Sequence, residues 1–96
     1  MEFKGTKGEW KFLDNGTYCE IQREKPLLSI CAINMNIEGY EENAKAIAAV
    51  PDLIEALQKI IEMNYQNAED QYGDRNKADG WSCVTVAKKA LKKALS

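Results

Sequence analysis

The sequence predicts an α+β fold: a small antiparallel sheet of three strands, or four, followed by helices packed on one face. Three observations predict it. Asn15-Gly16 lies between two runs rich in aromatic and β-branched residues, a strong hairpin signal. Residues 40–72 carry apolar side chains at three- and four-residue steps with Pro51 set among them, which reads as a broken helix. Residues 81–95 show the same spacing without interruption.

The sheet is expected as a meander over about 9–36. Glu9 to Leu13 forms the first strand, with Trp10 and Phe12 on one face. After Asp14-Asn15-Gly16, Thr17 to Gln22 forms the second, where Thr17, Cys19 and Ile21 oppose Tyr18, Glu20 and Gln22. Such alternation suits a sheet with one wet side. Arg23-Glu24-Lys25-Pro26 is a polar turn, since Pro26 cannot donate to a ladder. Leu27 to Met35 is the most apolar run and lacks clean alternation, so it is expected to be the best-buried strand. Phe3 is the candidate for a fourth strand or an amino-terminal arm.

Residues 36–39 connect sheet to helix. The first helical piece runs from Tyr40 to Val50, with Ala44, Ile47 and Ala48 on one side. Small alanines there allow a close approach to the sheet. Asn43, in the same piece, is a candidate for a hydrogen bond to the sheet. Pro51 suits the first turn of a new helix, where its missing N–H has no partner to lose. A break is therefore expected at Val50-Pro51. The second piece carries Asp52 and Glu55 in its first turn, favourable to the helix dipole. Leu53, Leu57, Ile60, Ile61 and Asn64 form its expected buried stripe, widened by Ile54. Residues 73–80 read as a surface loop. The last helix, 81–95, has Val84, Ala87, Leu91 and Ala94 as its stripe, Ala90 and Leu95 beside it, and Asp79 or Ser82 as its cap.

Ninety-six residues make one domain spanning 1–96. An apolar fraction of 45% and a charged fraction of 29% are ordinary for a soluble globular chain. No run approaches the roughly 18 apolar residues of a membrane span, and residues 1–8 lack the apolar core of a signal peptide. A cytoplasmic location is expected. Cys19, Cys31 and Cys83 are odd in number and far apart, without a CxxC pair. They read as reduced, buried thiols rather than a disulfide or zinc framework.

The chain has no histidine, which excludes Ser-His and Cys-His nucleophilic machinery. The carboxylates Glu41, Glu42, Asp52, Glu55 and Glu62 show no metal-ligand spacing, and the glycines form no phosphate-binding loop. No enzyme, metal or cofactor is expected. Lys88, Lys89, Lys92 and Lys93 lie off the apolar stripe of the last helix. They read as a solvated face, or as a local site for an anionic partner. The net charge of −2 and pI near 5.2 argue against general nucleic-acid affinity. Trp10 and Trp81 are core packers or interface anchors.

The order Gly8-Glu9-Trp10, then Glu42 through Pro51 to Leu57, then a closing helix, resembles a widespread group of small proteins encoded by bacteriophages and prophages. Their hallmark is a Gly-x-Trp near the start and a helical Glu-Ala-Asn-Ala, apolar, Ile-Ala-Ala, small, Pro, acidic, Leu-Leu segment. The resemblance covers about half the chain, from Gly8 to about Leu57. Val50 departs from it, because a small residue is usual before the proline. It implies a phage origin and supplies no catalytic residues. Such proteins are often binders that inhibit a host factor, including antiviral defence systems.

The sequence thus leads to a non-enzymatic binding protein directed at a host protein or its signalling nucleotide. The binding candidates are Trp10, Trp81, Lys88, Lys89, Lys92 and Lys93. The alternative is a small nucleic-acid-binding regulator using the lysine-rich helix. A homo-oligomer is expected from the sheet edges and the apolar stripe after Pro51.

Overall fold

The computed structural model describes residues 2–24 and 26–95; Lys25, part of the expected polar turn, lies outside them. The element order is β1 (Trp10–Asp14), β2 (Cys19–Arg23), β3 (Leu28–Ala32), α1 (Tyr40–Ala48), α2 (Val50–Tyr72), a 3-10 segment (Arg75–Gly80) and α3 (Ser82–Leu95). The fold is α+β, as expected. The chain gathers into two compact units: Gly5–Leu53 form one, and the residues from Ile54 onward, with those before Gly5, form the other.

The first unit is a three-stranded antiparallel sheet in the order β1-β2-β3 with α1 against it. The β1–β2 turn is fixed by two side chains. Asp14 Oδ1 accepts from the Gly16 N–H at 3.0 Å, and Asn15 Oδ1 accepts from the N–H groups of Thr17 and Tyr18, each at 2.9 Å. Gly16 has φ +84, a conformation that disfavours a Cβ. Trp10 and Phe12 do share a face, and both pack against buried Cys19, Ile21 and Ala44.

The central strand is β2, so β2 rather than β3 is the best-buried strand: Cys19 is 1% and Ile21 0% exposed, whereas Leu28 is 43% exposed. A meander necessarily leaves its third strand at an edge. The broken alternation of β3 has a different cause. Ile21 pairs with Cys31 and Gln22 with Ser29, so Ile30 is an extra residue in a bulge. The bulge turns successive residues Ile30 and Cys31 both towards the core cluster. No fourth strand occurs among the described residues; residues 3–7 carry no strand.

On α1 the small-residue face forms as expected. Ala44 is fully buried beside Cys19 and Ile21, with Ile47 and Ala48 next to it. Asn43 is exposed. The residue that reaches the sheet is Tyr40, whose hydroxyl donates to Asp14 Oδ2 at 2.8 Å. The helix break falls at Ala49, one residue before the expected junction, and Pro51 sits in the first turn of α2. The Ala49 carbonyl accepts from the Leu53 N–H at 2.9 Å, opening the new helix.

The second unit is built on α2 and α3. The expected α2 stripe forms in part, with Leu57 and Asn64 half-buried. Ile54 and Ala68 are buried and Ile61 half-buried, while Leu53 is 56% and Ile60 45% exposed. Ile54, Ile61 and Ala68 are seven apart and so fall on one line of the helix. Gly73, at φ +70, ends α2, its N–H donating to the Glu69 carbonyl at 2.8 Å. The expected loop contains the 3-10 segment, opened by Asp74, whose side chain accepts from the Asn76 N–H. Within it Ala78 is fully buried with Ala68 and Val84. On α3, Val84, Ala87 and Leu91 are buried and Leu95 beside them is half-buried, but Ala94 is exposed.

Candidate interaction surface

The six residues singled out from the sequence fall in different units, Trp10 in the sheet unit and Trp81 with the four lysines in the helical unit. Trp10 is half-buried in the sheet unit, its ring N–H donating to the Thr6 carbonyl at 3.1 Å. Trp81 is half-buried in the helical unit, packed on the Ala68, Ala78 and Val84 cluster. Its carbonyl accepts from the Thr85 N–H at 3.0 Å, which makes Trp81 the residue flanking α3. Both tryptophans therefore serve packing first.

Lys88 is held in a network. Its Nζ lies 2.8 Å from Asp79 Oδ1 and 4.9 Å from the centre of the Tyr65 ring. The Tyr65 hydroxyl donates to the same Asp79 oxygen. Asp79, expected as a helix cap, is instead the acceptor joining α2 to α3. The Arg75 guanidinium lies 5.4 Å from the Tyr65 ring centre and reaches Glu62 at 2.9 Å and Glu69 at 3.6 Å. The Lys88 bond, then the Tyr65 bond, lowers the Asp79 pKa; Asp79 in turn raises that of Lys88. Lys88 thus stays protonated at neutral pH, which withholds it from nucleophilic or general-base chemistry. Lys89, Lys92 and Lys93 are exposed.

The cysteines separate by environment. All three are free: Cys19 is buried, Cys31 intermediate and Cys83 exposed, so the expected burial fails at Cys83. Burial pushes the Cys19 thiol up, and the negative charges of Asp14 and Glu41 add to it. Among the described residues no group of three or more Cys, Asp or Glu could hold a metal ion. No helix there is long and apolar enough to cross a membrane.

The surface with the clearest binding character is apolar. Leu57 and Ile60 of α2, with Ser82, Cys83, Val86, Ala87 and Ala90 of α3, line an open groove of about 470 Å³. Val86 is 68% exposed, and Met63, one turn beyond Ile60, is 63% exposed. Cys83 donates to Asn64 Oδ1 at 3.4 Å between the same two helices. The lining contains no charged residue. Clustered exposure of this kind marks interaction surfaces, unlike single apolar residues scattered over a protein.

The sequence did carry a signal for the groove. Cys83, Val86 or Ala87, and Ala90 form a second apolar strip beside the Val84-Leu91 stripe. The apolar arc of α3 is therefore wider than one packing partner requires.

No match was found among curated proteins or among solved structures. A family model does match, and it extends beyond Leu57, where the motif resemblance ends. Over residues 1–96 the chain fits the family described as Salmonella phage P22 protein Y8K6, and it belongs to that family of phage proteins.

Proposed function

We propose that this phage protein is a non-enzymatic binder that occupies and blocks a host protein in the bacterial cytoplasm, a component of antiviral defence being the leading class of target. The observation that supports the reading is the open, uncharged groove lined by Leu57, Ile60, Cys83, Val86 and Ala90. Apolar surface of that kind gains free energy by leaving water when a partner covers it. It suits a protein surface better than a nucleotide, whose phosphates require donors that an apolar lining does not offer. Lys88, one of the four lysines considered for an anion, already pairs with Asp79.

The test is native mass spectrometry of the purified chain after incubation in host lysate, beside the Ile60→Asp/Val86→Asp variant. A protein-sized addition seen with the wild type and lost in the folded variant supports the reading. The purified partner should then lose activity in the presence of wild type only. An addition of a few hundred daltons that survives the substitutions favours a signalling nucleotide. Salt-dependent retention of nucleic acid favours the regulator reading.

A further inference from the structure

The groove also has a shape and an electrostatic setting. On α3 its lining runs from Ser82 to Ala90, about 12 Å at 1.5 Å per residue. That length matches about two helical turns, the span of apolar anchors at positions i, i+3 or i+4, and i+7. Both walls are helices, whose backbone groups are bonded internally and present no ladder for an added strand. A helical occupant likewise brings its backbone already satisfied into the apolar lining.

Charge narrows the occupant further. Lys89 and Lys93 follow Val86 by three and seven residues. They therefore stand on the same side of α3 as Val86, along the rim of the groove. Glu62 and Glu69 pair with Arg75, Asp79 with Lys88 and Glu55 with Lys59, and no acid lines the groove. The exposed lysines at positions 89 and 93 thus put positive charge beside an uncharged groove. Resting on the protein-binding reading above, we infer that the groove takes an acidic amphipathic helix of the partner protein. Its apolar stripe would fill the space between α2 and α3, and its glutamates or aspartates would flank Lys89 and Lys93.

Fluorescence anisotropy tests this with the full chain and two helical peptides of about four turns. Both carry leucine at i, i+3 and i+7; one has glutamate flanks and its twin has lysine flanks. The expected result is binding of the glutamate peptide about tenfold tighter than its twin. Lys89→Glu/Lys93→Glu should reverse that order, and Val86→Asp should remove binding of both. Circular dichroism checks that each variant keeps the wild-type helix signal.

Equal binding of both peptides, or an order unchanged by the charge reversal, overturns the inference. So does binding of neither peptide by folded protein, or a dimer whose formation is abolished by Val86→Asp, which would make a second copy the occupant. If the peptides fail while a host protein is still captured in a Val86-dependent manner, the helix inference falls and the protein-binding reading stands. If both fail, both fall.

Discussion

Val84 and Val86 are the same residue two positions apart on one helix, and replacing each with alanine should have unequal consequences. Val84 is fully buried against Ala68 and Ala78, and Val86 is 68% exposed. Removing two methyl groups from a buried site costs about 1.6 kcal/mol in transfer free energy. The cavity left behind raises the total to about 2–3 kcal/mol. At Val86 only about a third of that transfer term applies, roughly 0.5 kcal/mol. The better helix propensity of alanine offsets a similar amount, about 0.5 kcal/mol, leaving little net change. Urea unfolding followed by far-UV circular dichroism reads the difference. With a slope of about 1 kcal/mol per molar, typical of small proteins, Val84→Ala should lower the midpoint by about 2 M and Val86→Ala should hardly move it. Equal losses would refute the reasoning, because they would mean that the groove is closed in solution. A neutral Val84→Ala would refute the rotation of α3 about its own axis.

Three further outcomes are expected. Ile21→Ala, on the central strand with no exposure, should destabilise the sheet unit by about 2–5 kcal/mol in the same urea assay. The Tyr40 pKa is pushed up to about 12, chiefly by its bond to Asp14, so folded Tyr40 keeps its proton where unfolded tyrosine, near 10, has lost it. That contribution is complete below pH 10 and disappears as pH rises towards 12; Tyr40→Phe should flatten the loss in a pH series of unfolding midpoints. In native protein a soluble alkylating reagent should label Cys83 rapidly and Cys19 only on unfolding, by peptide mass mapping, because Cys83 is exposed and Cys19 buried with a raised pKa. Labelled Cys83 should also obstruct the groove and weaken partner binding.

Local pattern made most of the elements legible. Asn15-Gly16 located the hairpin, the small face of Ala44 and Ala48 located the packing of α1, and Pro51 located the helix break to within two residues. Errors arose where global order decided the outcome. The apolar run of β3 suggested a buried strand, but only the order β1-β2-β3 shows that β2 has neighbours on both sides. On α2, Leu53 and Ile60 are as apolar as Ile54 and Ile61, so a broad arc did not reveal which row meets the core. Ala78 was hidden in a polar stretch because a single small residue gives no period. The groove was missed for a related reason. Ile60 looks like a core residue in a sequence, and only its exposure distinguishes a filled face from a vacant one. The lysines suggested an anion site, but the pairing of Lys88 with Asp79 depends on the 3-10 segment, which the sequence did not announce.

The extra residue at Ile30 interrupts the regular ladder of β3 along its open edge, and the opposite edge, β1, presents Lys11. Neither edge is a flat template for a like strand from the next copy. A ladder interrupted in this way disfavours strand-by-strand stacking of one copy on the next.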